Sequence, residues 1–236
     1  MTEIKSETLY RKYRPQTFED ILGQDEVVTT LKNSIESGNI SHSYLFNGTR
    51  GTGKTSIARI FAREIGSSEE DIYEIDAASN RGIDEIREIR DSVSLLPYSS
   101  DFKVYIIDEV HMLTTQAFNA LLKTLEEPPA HVVFILATTE KHKVPDTIQS
   151  RCQVYDFKKA DIQTLTGLVK DIAEKEDVRN LPDEIAEAVA KKGRGSFRDT
   201  LSYLQKFIGS MNEAIDLHIL SQDFNELEYS LSLIHI

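Results

Sequence analysis

The 236-residue sequence predicts an α/β fold, in which a mainly parallel sheet covered by helices is followed by a small region of three helices. Up to residue 158, short apolar and β-branched runs alternate with segments of helical period, a pattern typical of a parallel sheet with helices on both faces. Beyond that residue only helical periods follow. We therefore expect an α/β domain at 1–158, a helical domain at 159–210, and a linker leading into a further domain at 211–230.

The expected strands are five apolar runs bounded by turn residues: HSYLFNG, DIYEID, KVYIID, VVFILATT and CQVYDF. The helix SIARIFAREIG follows a glycine-rich loop, and the helix TTQAFNALLKTLEEPP starts at a capping Thr and stops at two prolines. The last three helices have starts of the Asp, Pro or Ser type and glycine stops: DIQTLTGLVKDIAEKEDV, PDEIAEAVAKKG and SFRDTLSYLQKFIG.

The composition excludes several classes of protein. With 27 basic and 39 acidic residues the formal net charge is -12, which argues against a uniformly basic nucleic-acid-binding surface, although basic islands occur at YRKYR, NRG and KKGRGSFR. A single cysteine cannot form an intramolecular disulfide, no signal peptide is evident, and no apolar run approaches the roughly 18 residues of a membrane helix. We expect a cytoplasmic protein that does not enter the membrane.

The last six residues, LSLIHI at 231–236, are interpreted separately. They match the translation of a transposon end used as an adapter in sequencing libraries, so we exclude them from fold reasoning and expect the natural protein to continue beyond residue 230.

The segment GTRGTGKT at 48–55 fits the pattern GxxxxGK[ST] and lies between a predicted strand and a predicted helix. Glycines let backbone amides curl around phosphate oxygens, Lys54 can reach the terminal phosphates, and the hydroxyl of Thr55 can bind Mg²⁺. The predicted nucleotide-binding residues are therefore those of the loop and the next position: Gly48, Thr49, Arg50, Gly51, Thr52, Gly53, Lys54, Thr55 and Ser56.

The strand KVYIID ends in Asp108, which would hold Mg²⁺ at the same sheet edge, and Glu109 can polarise an attacking water. Together with the loop, this favours hydrolysis of a nucleoside triphosphate. A small-molecule kinase would share the loop without needing Glu109. Thr138 and Thr139 end the next strand, where a hydroxyl could sense the terminal phosphate, although threonine also simply favours strands.

Two further residues have both a functional and a structural interpretation. Arg198, in GSFRD, could swing onto a bound nucleotide from the last helix or could be a solvated cap neighbour. Cys152 is the only thiol, but no base lies near it in the sequence, and it begins a strand that we predict to be buried, where it would act as a small hydrophobe.

Ordered blocks over about residues 8–225 resemble AAA+ ATPases, and more specifically bacterial DNA polymerase III clamp-loader tau/gamma subunits, with replication factor C small subunits a more distant likeness. These blocks are YRPQTFEDILGQ, GTRGTGKTSIAR, EIDAASNRGIDEIR, YIIDEVHMLTTQAFNALLKTLEEPP, FILATTE and SRC. The resemblance implies ATP and Mg²⁺ as cofactors and a three-helix lid. It also implies site roles: Arg151 as an arginine finger acting in trans, Arg198 as second sensor, Thr139 as first sensor, and Arg11 against adenine.

In that family, ATP tightens a spiral of five subunits that opens a sliding clamp and grips primer-template DNA for the replicative polymerase. The resemblance implies a hetero- or homo-pentamer at the nucleoid, with Arg81 and Arg87 on the DNA-tracking face. The alternative for both arginines is an ion pair with a nearby carboxylate.

The sequence departs from the family in two places. Only GSSEE lies where these proteins usually carry a four-cysteine zinc module, so we expect no zinc and a divergent or phage-encoded version. The collar that joins the pentamer would begin near Ile219 and is almost wholly missing.

Two alternative functions stay open. A branch-migration motor would need a winged-helix domain after the lid, and the resemblance to such motors does not predict the block NALLKTLEEPP. A nucleotide-bound scaffold that never hydrolyses has no chemical need for Lys54, Asp108 and Glu109 together.

Overall fold

The computed structural model describes residues 7–178 and 181–212 of the chain. Its centre is a sheet of five parallel strands in the order β2-β3-β4-β1-β5, which confirms the predicted fold class. The strands are β1 (Ser43–Asn47), β2 (Ile72–Asp76), β3 (Lys103–Asp108), β4 (Val132–Thr138) and β5 (Gln153–Asp156).

The described helices cover the sheet and then form a separate cluster. They are α1 (Leu9–Lys12), α2 (Asp25–Glu36), α3 (Lys54–Glu64), α4 (Ile83–Val93), α5 (Thr115–Glu126), α6 (Asp146–Gln149), α7 (Ile162–Lys175), α8 (Asp183–Gly193) and α9 (Phe197–Asn212). Short 3₁₀ turns occupy Phe18–Asp20, Glu69–Asp71, Val110–Met112 and Lys141–Lys143. No helix in the described ranges is both long and apolar enough to cross a membrane.

The register of the strands brings their carboxyl ends to one edge of the sheet. Asn47 of β1 pairs with Thr138 of β4, and Asp76 of β2 pairs with Asp108 of β3. The inner strands are buried on both faces because apolar clusters, one including α4 and α5 and the other α2 and α3, cover them. Burial of each Leu, Ile or Phe side chain stabilises the fold by about 1.5–3 kcal/mol. The carboxyl ends of the strands therefore project from a well-packed core.

The strand β5 corrects the prediction that Cys152 begins a buried strand. Cys152 lies in a bend before β5, which within the described part of the chain pairs only with β1 at the edge of the sheet and has three of four residues exposed. The thiol itself packs against the apolar cluster under the sheet, and burial raises its pKa to about 12. Cys152 is therefore protonated at neutral pH and acts as a small apolar side chain, as expected.

The helices α7, α8 and α9 pack around a core of their own, to which α1 adds Leu9. The Leu9 amide donates to the side chain of Gln205 on α9, and the Tyr13 hydroxyl donates to Glu176 after α7. Among the described residues, α1 thus belongs structurally with α7, α8 and α9, although our proposed boundary groups residues 1–158 together.

Of the two glycines that we expected to stop helices, Gly193 ends α8 as predicted, whereas Gly209 does not end α9. The helix α9 continues through Gly209 to Asn212, because one interior glycine costs only about 1 kcal/mol. At the end of α8 the left-handed residue is Arg194, and a Cβ on Gly193 would collide with Thr200 of α9. Gly193 is thus needed for helix packing. The expectations for residues 213–236, the collar and the adapter-like tail, lie outside the described residues.

A buried carboxylate holds the 3₁₀ turn Glu69–Asp71, which overlaps the end of the short segment GSSEE where we expect no zinc module. Asp71 is fully buried and accepts bonds from the amides of Tyr98 (2.7 Å) and Ser99 (3.0 Å) and from the Ser100 hydroxyl (2.5 Å). Burial would raise the pKa of Asp71, but these donors outweigh it and lower the pKa to about 2. The loop after α4 is therefore pinned to the turn before β2.

Candidate active site

The predicted site residues of three segments meet at the carboxyl edge of the sheet. The segment 48–55 runs from the end of β1 into the first turn of α3, Asp108 ends β3 and is followed by Glu109, and Thr138 ends β4 and is followed by Thr139. A cavity of about 750 Å³ opens there between the sheet and the helical cluster. It is lined by residues of the loop, of β3, of α1, of α7 and of α9, among them Arg11, Ser56 and Arg198.

Left-handed glycines shape the loop. Gly51 (φ 76°) and Gly53 (φ 99°) adopt conformations that L side chains rarely take. A Cβ on Gly51 would lie 2.1 Å from the hydroxyl of Ser196, so glycine also permits the close approach of α9. The Phe197 amide donates to the Gly51 carbonyl over 2.9 Å, and this contact fixes the start of α9, and with it Arg198, against the loop.

Lys54 is buried at the start of α3. Its ammonium donates to the carbonyls of Gly48 (2.7 Å) and Thr49 (3.0 Å). Burial lowers its pKa, while the carboxylates of Asp108 and Glu109 partly oppose this shift. Lys54 therefore presents a desolvated cation at the loop, the type of group that binds terminal phosphates strongly.

Thr55 and Asp108 meet directly, since the hydroxyl of Thr55 donates to Oδ2 of Asp108 over 2.7 Å. One hydroxyl and one carboxylate at hydrogen-bond distance are both hard oxygen ligands of the type Mg²⁺ prefers. The residues present therefore fit the magnesium ion that the sequence motif implies.

Glu109 has an unusual backbone and a defined carboxylate. Its φ of 48° is left-handed, and its amide donates to Oδ1 of Asp108 over 2.9 Å. The hydroxyl of Thr139 donates to Oε2 of Glu109 over 3.1 Å. Thr138, by contrast, is fully buried and accepts a bond from the Glu140 amide. Of the two threonines that end β4 in the sequence analysis, Thr139 is the one whose hydroxyl contacts Glu109.

Aromatic and basic side chains form the opposite wall. The guanidinium of Arg198 lies 5.7 Å from the centre of the Tyr10 ring, and that of Arg11 lies 5.9 Å from the same ring. Arg14, which the sequence analysis missed, is more buried, and its Nε donates to the Ser56 hydroxyl over 3.1 Å. Burial, reinforced by nearby Arg59, lowers the pKa of Arg14. Its only sequence signal is its place in the basic island YRKYR.

Three predicted residues lie away from this cavity. Arg151 is on the surface after α6, where its guanidinium donates to Glu126 and to the Thr147 carbonyl, each over 2.5 Å. Arg87 pairs with Asp84 over 3.0 Å, as in the ion-pair alternative given above. Arg81 is exposed, and its Nε donates to the Ala78 carbonyl over 2.8 Å.

Gln24 is a second residue that the sequence did not single out. Its buried amide donates to the carbonyl of Lys158 (2.7 Å) and accepts from the amide of the same residue (3.2 Å). The amide also lies 3.4 Å from the Thr52 carbonyl in the loop. Gln24 therefore joins the loop to the connection between β5 and α7. No local pattern could reveal a contact spanning 134 residues.

Solved structures with the same fold include the Thermotoga maritima RuvB Holliday junction branch migration motor, with a TM-score of 0.71 and 23% identity over 85% of this chain and 66% of that one. A mutant form of the same RuvB protein gives a TM-score of 0.74 at 22% identity, covering 91% and 74% of the two chains. At this identity the likeness shows the fold alone.

Curated relatives share much more sequence. DNA polymerase III subunit tau of Bacillus subtilis is 48% identical over 86% of this chain and 39% of its own length. The tau subunit of Escherichia coli is 41% identical over 97% of this chain and 39% of its own length. The gamma/tau subunit of Mycobacterium tuberculosis is 42% identical over 89% of this chain and 40% of its own length. The chain thus spans about two fifths of the length of these relatives.

The family model described as DNA polymerase III, delta subunit, matches residues 23–81 and 67–161, together more than half of the chain. These residues contain the loop, the ends of β3 and β4, and Arg151. The chain therefore belongs to the family described as DNA polymerase III, delta subunit, and it is similar to DNA polymerase III subunits named tau and gamma/tau.

Proposed function

We propose that the chain is the ATP-hydrolysing part of a clamp-loader subunit. In this proposal, ATP binding and hydrolysis drive the opening of a sliding clamp and its loading onto primer-template DNA for a replicative polymerase. The observation that carries the proposal is the meeting of Lys54, the Thr55–Asp108 pair and Glu109 at one cavity. The similarity to subunits named tau and gamma supports the polymerase context.

The loop and Lys54 bind the phosphates in this mechanism. Residues 53–56 at the start of α3 line the cavity, and the N-terminus of a helix favours negative charge. The Lys54 ammonium, now bonded to two loop carbonyls, exchanges these for phosphate oxygens. Because the lysine is already desolvated, it gains a charge-assisted bond at little further cost in hydration.

Thr55 and Asp108 would hold the magnesium ion with oxygen ligands. When bound, Mg²⁺ neutralises charge that develops on the phosphoryl oxygens. The second oxygen of Asp108, Oδ1, accepts a hydrogen bond from the Glu109 amide. The carboxylate that would hold the metal therefore also fixes the backbone conformation of Glu109.

Glu109 orients the attacking water and accepts its proton. The Thr139 hydroxyl, which now donates to Glu109, is within reach of the same space and senses the terminal phosphate. Arg198 approaches from α9 and stabilises negative charge on the nucleotide. Arg11, beside Tyr10, contacts the base.

The remaining residues act between subunits and on DNA. We propose that Arg151 reaches the nucleotide of an adjacent subunit in a pentameric assembly. Arg81 and Arg87 contact the duplex backbone without reading its sequence. The protein would act at the nucleoid, in the cytoplasm of a bacterium or of a phage host.

The test is ATP turnover by the protein with its sliding clamp, in the presence and absence of primed DNA. We expect turnover that rises with both additions together, and a Lys54→Ala variant that has none. Turnover independent of the clamp would contradict the loader and leave a branch-migration motor as the alternative. Nucleotide binding with no turnover under any condition would leave the non-hydrolysing scaffold.

A further inference from the structure

We infer that His111 is a positioning residue for the water-activating carboxylate of Glu109. The inference rests on the proposed ATP hydrolysis. It assigns a role to His111, to which the sequence analysis assigned none. It begins from the 3₁₀ turn Val110–Met112, which follows Glu109 and directs the His111 side chain back toward the end of β4.

The His111 ring lies between two elements of the site. Its Nδ1 is 3.1 Å from the hydroxyl of Thr138 and 3.5 Å from Oε2 of Glu109. The His111 side chain is 7% exposed, so the imidazole ring itself is largely shielded from water. The same Glu109 oxygen accepts a bond from Thr139. Two consecutive residues at the end of β4 thus reach Glu109, Thr139 directly and Thr138 through the imidazole.

The surroundings of Nδ1 determine where the ring carries its proton. A bare Nδ1 would direct its lone pair at a carboxylate oxygen, and the two would repel. A protonated Nδ1 can donate to the Thr138 hydroxyl and interact favourably with Glu109. The Thr138 oxygen also accepts the Glu140 amide, which fixes the direction of its remaining lone pair. The geometry therefore favours the tautomer with hydrogen on Nδ1.

The positioning role follows from how little else holds the carboxylate. The left-handed backbone of Glu109 is a strained conformation, of a kind often found at active sites. Among the described residues, its Oε2 accepts one hydrogen bond, from the Thr139 hydroxyl, which we expect to turn toward the terminal phosphate when ATP binds. His111 then retains the carboxylate in its orientation. Loss of His111 would misplace the general base while leaving the phosphate-binding loop unchanged.

Steady-state ATP hydrolysis by His111 variants tests this role. We expect His111→Ala to lower kcat about tenfold or more, since small misplacements of a catalytic group have large effects, and to change KM for ATP less than about twofold. His111→Asn, whose amide nitrogen can take the place of Nδ1, should recover part of the loss. His111→Gln, whose amide extends toward the position of Nε2, should not. The exposed His142→Ala is the matched control and should match the wild type.

Three results would overturn the inference. The first is an equal kcat in all variants, and the second is a fall in kcat accompanied by a similar rise in KM for ATP. The third is an equal fall in kcat for His111→Asn and His111→Gln together with lower melting temperatures of both variants. Failure of the proposed function is a different result, since the wild type would then show no turnover that depends on Lys54. Nitrogen NMR of the imidazoles gives a readout independent of turnover. The signals of the His111 imidazole are assigned as those that are absent from the spectrum of His111→Asn. We expect them to show a hydrogen on Nδ1, and an Nδ1 without hydrogen would contradict the inference.

Discussion

The two halves of the proposed ATP site are held in different ways. Lys54 and Asp108 are fixed at the edge of the sheet by several short bonds within the core fold. Arg151 lies on the surface, where its exposed partner Glu126 forms a pair of the kind that contributes at most about 1 kcal/mol. The difference indicates that the chain preorganises the groups proposed to act on its own nucleotide. The group proposed to act on a neighbour can exchange partners at low cost.

The largest effect is expected from Arg151→Ala. An arginine finger supplied by a neighbour contributes about 10³–10⁵ in kcat, so turnover by the assembled complex should fall by a factor in this range. ATP affinity of the isolated chain should not change, because Arg151 lies outside its own cavity. Binding isotherms and turnover of the complex check the two halves of the prediction.

Arg90→Ala is the matched control, since Arg90 is another exposed arginine, paired with Asp91. It should leave turnover unchanged. A drop in nucleotide affinity of the isolated Arg151→Ala chain would remove the contrast between the two halves of the site.

The next largest effect is expected from Glu109→Gln. General bases contribute about 10²–10⁴ in rate, and the amide cannot accept the proton from water. Because Lys54 and Thr55 are unchanged, the variant should still bind ATP. Turnover and binding measured on the same preparation test this, and turnover close to that of the wild type would exclude Glu109 as the base.

A stability effect is expected from Asp71→Ala, which leaves the Tyr98 and Ser99 amides and the Ser100 hydroxyl without their acceptor. Bonds to a charged group contribute about 1.5–3 kcal/mol, so the free energy of unfolding should fall by an amount in this range or above it. The variant should show the loss in thermal or denaturant unfolding at about pH 7.

The pH dependence of Asp71 has a definite sign. Its folded pKa of about 2 lies below the unfolded value of about 3.9, so its contribution is complete above about pH 4 and is lost as the pH falls toward 2. The stability difference between wild type and Asp71→Ala should therefore shrink across this window. A difference that stays constant from about pH 6 to about pH 2.5 would contradict the assignment.

The smallest effect is expected from Arg81→Ala. Losing one phosphate contact should weaken DNA binding by the complex similarly for all sequences and reduce the slope of log affinity against log salt by about one. Arg87→Ala should have less effect, because Arg87 already pairs with Asp84. An unchanged salt slope for Arg81→Ala would indicate that its bond to the Ala78 carbonyl has only a local role.

The fold and the centre of the site follow from local patterns. The strand KVYIID coincides with β3, because an inner parallel strand buried on both faces reads as one continuous apolar run. The loop at 48–55 is also predictable from the sequence, because the left-handed backbone at positions 51 and 53 strongly favours glycine. The prediction that β5 is buried is wrong because an apolar run shows nothing about how many neighbours a strand has.

Contacts between distant segments were not predictable from the sequence. Gln24 bonds to Lys158, Asp71 bonds to the loop at 98–100, and α1 docks on α9 across 196 positions. The His111 contact with Thr138 spans 27 positions and depends on the left-handed turn at Glu109. Such polar pairings have no periodicity, and only the packed structure brings the partners together.

A subunit-mixing experiment tests the division of the site most directly. A Lys54→Ala protein keeps its arginine but cannot hydrolyse ATP, and an Arg151→Ala protein keeps its phosphate loop but lacks the arginine. We expect assemblies of either variant alone to be inactive and mixed assemblies to recover turnover, because each subunit supplies what its neighbour lacks. Mixed assemblies that form normally and stay inactive would contradict an active site shared between subunits.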